Sequence, residues 1–309
     1  GLSNSAFGSG SLVNNSTGNT NTGMGYVSLF NNQTGFSNVA VGTHALFNNG
    51  NRSNLVAIGD SALFNNGIGA VNAYEGTLNS AFGSKALFAN TTGYYNTATG
   101  SNALRNNSTG VQNTANGTGA LVTNTTGSAN TAMGLNAMFT NSTGNSNTGL
   151  GNAALALNTT GSNNTSTGFL ALNNNNTGYS NVAIGTEALF RNTDRNNLVA
   201  VGDSALYNNG VGAVGFQATE NSALGSKALF ANTTGYYNTA TGTNALRSNS
   251  TGAQNTANGT GSLVNNTIGN SNTAMGLNAM ALNNTGNENT AVGNFAVVNN
   301  TTGSKNTGM

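Results

Sequence analysis

Cysteine, proline and tryptophan are absent from this chain of 309 residues, and charge is scarce, with eight Lys/Arg and seven Asp/Glu. Without cysteine there can be neither disulfide stapling nor a thiolate metal site, although the absence fits any compartment. A net charge of +1, carried by scattered basic residues, offers no electrostatic footprint for a phosphate backbone, so nucleic acid is not an expected partner. The same scarcity sets the chain apart from disordered polyelectrolytes. Apolar runs are short, about five residues in Ala153 to Leu157, against the roughly 20 of a membrane-spanning helix. The forty-four glycines lack a third-residue period, which excludes a collagen triple helix.

Chemistry-bearing residues are equally thin. His44 is the only histidine, so no His-based triad is expected. The acids Asp60, Glu75, Glu187, Asp194, Asp203, Glu220 and Glu288 include no short-range pair of the kind a glycosidase sets across a cleft. Calcium-binding rolls need Asp in each repeat, and here nearly every repeat lacks it. The expectation is a non-enzymatic chain with no cofactor and no metal.

What is present is a repeat. Aligned on the small residue of Asn-Thr-Ala-x-Gly, the series Ala6, Gly23, Ala40, Ala57, Ala81 and onward to Gly308 advances by 17 residues, except from 57 to 81 and from 200 to 223. Those two steps mark insertions, at 67–78 and 210–220. A longer period of 143 residues is superimposed, for Ala57 and Ala200 sit in closely matching text and Gly83 to Asn90 recurs as Gly225 to Asn232. A fixed period of this length signals stacked supersecondary units, none able to bury its apolar face alone. The fold class expected is therefore all-β, a parallel β-solenoid or β-roll of about 17 stacked coils running continuously over 1–309. The chain opens without Met and ends inside a repeat, so a segment of a longer protein is expected.

Each column of the repeat has a physical reading. Val39-Ala40-Val41 and Val199-Ala200-Val201 are β-branched around a small residue, as in a short strand. The Gly two residues beyond, as at Gly42, implies φ > 0 or close backbone approach. Asn nine residues after the alignment point, as at Asn32 and Asn49, suits either an amide ladder between coils or a left-handed turn. Sequons such as Asn124-Thr125-Thr126 follow from this turn consensus and are expected to stay bare.

The Ala-Leu pair, as in Ala45-Leu46, reads as a second apolar segment. The residue after the Leu column, which Met138 fills in its coil, is aromatic at Phe30, Phe47, Phe64, Phe88, Phe139, Phe190, Tyr207 and Phe230. If this segment is a strand, Leu and Phe face opposite sides, and Phe30, Phe47, Phe64, Phe88, Phe190, Tyr207 and Phe230 become interchain contacts. If it is a short helical turn, both face one core. Arg105 and Arg247 stand in the same column and weaken an interface there, because an unpaired buried Arg is costly. One Leu and a few small residues per coil return less than ordering a coil costs, and burial between chains is one way to supply the difference.

The insertions are the departures with most functional promise, since binding on solenoids resides in projecting loops. The first carries Tyr74 and Glu75, the second Phe216, Gln217 and Glu220, and Tyr94-Tyr95 and Tyr236-Tyr237 follow one coil later. These are the candidate ligand or lateral-contact residues, because an aromatic with polar neighbours can stack on a sugar. Asp60 with Lys85, and Asp203 with Lys227, occupy adjacent columns in consecutive coils and suggest solvated ion pairs.

Asn38-Val39-Ala40-Val41-Gly42, Leu55-Val56-Ala57-Ile58-Gly59 and Asn181-Val182-Ala183-Ile184-Gly185 resemble the head repeats of YadA-like trimeric autotransporter adhesins. Similar arrays of Asn-Thr-Ala-x-Gly, Ala-Leu and Asn-Thr-Thr-Gly occur in phage tail fibres and other trimeric surface fibres. The resemblance implies a left-handed parallel β-roll, three chains about one axis, a place at the cell surface or on a virion appendage, and binding to host glycan or matrix. The unit here is longer than the adhesin head repeat, and no stalk, membrane anchor or chaperone domain is visible. A self-assembling extracellular filament is the alternative. An ice-binding face would need a regular Thr column, which Val39, Val56, Ser80, Val182, Val199 and Ser222 interrupt.

Overall fold

The computed structural model describes residues 2–309, and these contain no helix; secondary structure consists of eighteen short parallel strands. The chain divides into two compact units, one running to Ala153 and taking in Leu157–Thr160, the other comprising Ala154–Ala156 and Gly161–Met309. Each is a β-solenoid. The first stacks nine strands from Ser5–Phe7 to Thr148–Leu150, the second nine from Thr165–Thr167 to Thr307–Gly308. Register follows the sequence period: Ala40 pairs with Ala57, and across the insertions Ala57 pairs with Ala81 and Ala200 with Ala223. The extra residues therefore leave the sheet as loops and shift no strand.

In the strands from Thr22–Met24 to Thr290–Val292 the middle residue points inward, and Ala40, Ala57, Ala98 and Ala183 are fully buried. Its neighbours point outward, so Ile58, Phe82, Ile184 and Leu224 are exposed. The glycine that follows has φ near +133° at Gly42, and a Cβ there would lie 2.5 Å from the carbonyl oxygen of Gly59 in the next coil. Left-handed backbone and close approach thus both demand glycine.

The Ala-Leu-Phe segment is not the strand that alternation of Leu and Phe suggested. It is a tight turn in which Leu itself takes a left-handed conformation, φ being +50° at Leu46 and within a few degrees of that at Leu29, Leu63 and Leu104. Such a backbone costs about 1–2 kcal/mol, and complete burial of Leu46 offsets it by roughly 1.5–3. The turn aims Ala45 and Leu46 together into the core and leaves Phe47 half-buried on the wall.

The asparagines settle between their two readings. Asn32 Nδ2 donates to Asn15 Oδ1 at 2.8 Å, Asn49 to Asn32 at 2.7 Å, and the chain of amides continues through Asn107, Asn124 and Asn141. The same Nδ2 donates to the carbonyl three residues on, as from Asn124 to Gly127 at 2.9 Å. None of these asparagines has positive φ; the left-handed corners fall elsewhere, at His44, Leu46 and Asn54 in one coil. A second amide column, at Asn21 and Asn38, was legible as the first letter of Asn-Thr-Ala and its role was not read. Asn38 Oδ1 accepts from Leu55 N–H at 3.1 Å, and its Nδ2 donates to the Arg52 carbonyl at 2.9 Å. Burying these polar groups with their partners supplied makes burial tolerable and couples neighbouring coils; an exception stands before the second insertion, where Asn192 Oδ1 is buried without a partner. Asn124, the asparagine of a sequon, is fully buried in its ladder and closed to modification in the folded chain.

The expected ion pairs do not form. Lys85 and Lys227 meet Asp60 and Asp203 through backbone only, N–H to carbonyl at 2.9 and 2.8 Å, because at this corner the side chains leave the wall. Among the described residues the one side-chain ion pair joins Arg195 to Asp194.

Candidate functional site

The two insertions are built alike, around an arginine. Arg52 and Arg195 stand in a column that is glycine in most coils, where a Cβ has no room: at Gly35 it would lie 2.2 Å from the Arg52 carbonyl, at Gly93 2.4 Å from that of Gly110. A side chain is admitted only where the next coil swings out as a loop. Arg52 is then buried, 4% exposed, with Nη1 donating to the Asn72 carbonyl at 2.7 Å and Nη2 to that of Ala70 at 2.9 Å. Arg195 donates likewise to the carbonyls of Gly215 and Ala213. Gly67 and Gly210 open these loops with φ of +81° and +84°, and a Cβ would strike the arginine Cγ at 2.7 and 2.9 Å. Sequence reasoning passed over both arginines, though each breaks a glycine column immediately before an insertion.

Glu75 turns back into its own loop. Oε2 accepts from the N–H groups of Val71 at 2.6 Å and Asn72 at 3.0 Å, and Oε1 from Asn72 Nδ2 at 2.9 Å. These bonds, that from the Asn72 side chain first, hold its carboxyl below the ordinary value, and the positive charge of Arg52 adds to the effect. Gln217 closes the second loop through Oε1, which accepts from Val214 N–H at 3.0 Å. Glu220 lies at the exposed corner that Leu78 takes in the first loop.

The aromatics gather as two matching clusters. Tyr74 meets Tyr94 edge-on at 5.2 Å, and Tyr94 meets Tyr95 at 5.4 Å. Phe216, Tyr236 and Tyr237 repeat this at 5.1 and 5.4 Å. Tyr74, Tyr95, Phe216 and Tyr237 are about half exposed, so each cluster presents ring surface to solvent.

Elsewhere on the wall, Phe30, Phe47, Phe64 and Phe88 stack face to face at 5.1–5.2 Å with tilts of 3–15°. Phe190, Tyr207 and Phe230 form a second stack at 5.2–5.3 Å. The ring faces are thus used within the chain and their edges remain half-exposed. Arg105 and Arg247 end the two stacks in solvent, where no burial cost arises. His44 packs among Tyr26, Phe47 and Phe64.

A further surface is the outer face of the strands. Met24, Ile58 and Phe82 in the first unit, and Ile184 and Leu224 in the second, are 38–52% exposed. Val39, Val41, Val56, Val182 and Val199 flank them, whereas Thr97, Thr99, Thr114 and Asn116 make the next coils polar. The alternation in Val-Ala-Val was the signal for this face. Set against protein-family models and curated proteins, the chain matches none.

Proposed function

We propose that this chain is a structural and adhesive segment of an extracellular fibre in which three copies associate, rather than an enzyme. The observation that carries the reading is the outer strand face, where Met24, Ile58 and Phe82 lie open beside Val39 and Val56, and where Met133, Ile184, Leu224 and Met275 expose apolar side chains again between polar coils such as Thr97–Thr99 and Thr114–Asn116. An apolar band of this kind calls for a protein partner, and the half-exposed Phe stacks add apolar surface elsewhere on the wall. Three chains, left-handed coils and a place at the cell surface or on a virion appendage come with the resemblance to adhesin head repeats. The projecting loops, with their exposed rings, are the adhesive part, directed at glycan or matrix.

Light scattering on the soluble chain is expected to give three copies, and Ile58→Asp with Ile184→Asp to dissociate them. A stable monomer would overturn the assembly. Electron microscopy showing continuous filaments would replace the discrete fibre with a polymer.

A further inference from the structure

In the column that Phe36 occupies, four residues before the small strand residue, aromatic rings occur only at Phe36, Tyr94, Tyr179 and Tyr236, which flank the two insertions; other coils place Asn, Ser, Thr, Val, Ala or Leu there. Tyr94 and Tyr236 are engaged by the loop rings. Phe36 is not: it is 51% exposed and makes no ring contact among the described residues.

Phe36 borders a cleft of about 340 Å3 between the coil wall and the first loop, with Asn51, Ser53 and Asn54 on the wall side and Ala73 and Thr77 on the loop side. That volume lies at the small end of ligand clefts, roughly 300–1,000 Å3. Ser53 Oγ accepts from Phe36 N–H at 3.0 Å and pins the ring's backbone to the floor. Asn51 and Asn54 are exposed, and among the described residues their carboxamides make no hydrogen bond, so donors and acceptors stand ready beside the ring. Arg52 is the one ion in the lining; its Nη groups are committed to loop carbonyls, and its Nε, which has no hydrogen-bond partner, is buried away from solvent. The second unit repeats the arrangement in part: Tyr179 is 49% exposed, its N–H donates to Asn196 Oδ1 at 2.8 Å, and Asn197 and Thr219 hold the matching positions, but Asp194, paired with Arg195, stands where the first unit has Asn51.

We propose that the cleft binds a neutral saccharide, the apolar C–H face of one sugar ring stacking on Phe36 and its hydroxyls exchanging hydrogen bonds with Asn51 and Asn54. The proposal rests on the adhesive part of the reading above and names its ligand class. An anionic sugar finds here only a cation that is buried and has both Nη groups bound to loop carbonyls. A purely apolar ligand would strip water from two amides and leave them unpaired. Tyr179 with Asn197 offers the second unit's version of the site.

Saturation-transfer NMR on the full chain, titrated with neutral di- to tetrasaccharides of glucose, mannose, galactose and N-acetylglucosamine and with oligogalacturonate, tests this. One neutral class is expected to bind with Kd of about 0.1–10 mM, and Phe36→Ala with Tyr179→Ala to weaken it at least about tenfold. Phe36→Tyr should retain binding, as should Phe169→Ala, which removes an exposed ring remote in sequence from both insertions. No neutral binding at about 10 mM, preference for oligogalacturonate, or full affinity in the Phe36→Ala/Tyr179→Ala chain overturns the site. A chain that assembles in threes yet ignores neutral sugars overturns the site and leaves the fibre standing; a monomer that binds them does the reverse.

Discussion

The loops at 67–78 and 210–220 do the same structural work with their charges placed differently. Both spring from a glycine that lets an arginine pass beneath, and both give that arginine two loop carbonyls. In the first, the acid is Glu75, within the loop. In the second, Gln217 takes that place and the acid becomes Asp194, beside the arginine, 3.0 Å from its Nε, where the first unit has Asn51. One carboxylate accompanies each buried guanidinium, but its position is free. Neutrality near a buried charge is the requirement, and loop closure needs only an acceptor, which amide and carboxylate supply equally.

The comparison breaks most visibly at the arginine. Arg52→Ala removes two charge-assisted bonds and strands the Asn72 and Ala70 carbonyls, an expected local loss of about 3 kcal/mol. Hydrogen exchange should show loop 67–78 opened and loop 210–220 still protected, with Arg195→Ala giving the converse. Equal opening of both loops by either variant would refute their independence. Gly67→Ala is expected to cost about 1–2 kcal/mol from its left-handed backbone, and more through its contact with Arg52 Cγ. In a double-mutant cycle, Arg52→Ala should relieve the second part and leave the first.

Smaller effects separate the two ring clusters. Tyr74→Ala and Phe216→Ala each lose one edge-to-face contact, about 0.5–1.5 kcal/mol, read as faster proteolysis of the loop concerned. Acid sharpens the contrast most finely. Glu75 has its carboxyl pKa lowered from the ordinary 4.5 by folding, so its contribution is present above that value and is lost as pH falls through the lower folded one. Loop 67–78 should therefore loosen on acidification, and Glu75→Gln should abolish that step. Gln217 does not titrate, so an identical step for the 210–220 loop at its Gln217 closure would count against the assignment.

Much of this was legible from residue columns. The 17-residue step, the glycine at Gly42 and its equivalents, the Asn32–Asn49 ladder and the looping-out of both insertions all appear as spacing. The turn at Ala45-Leu46-Phe47 was not, because apolar neighbours in sequence predict a strand or a helix, and nothing local marks a leucine for left-handed backbone. Arg52 was missed for a related reason. As a lone basic residue it reads as surface charge, and only the loop folding over it turns its surroundings into a buried site.

The sequence by itself determined the period, the inward column of small residues and the places where the coil must bulge, because a stack of identical units writes each contact as a residue recurring at fixed spacing. Only the tertiary structure decided which conformation Leu46 adopts, that Phe30 to Phe88 lie ring on ring, and that Phe36 faces the first loop across a cleft. Each of those depends on atoms supplied by a neighbouring coil, and the energy that selects them exists only once the coils are stacked.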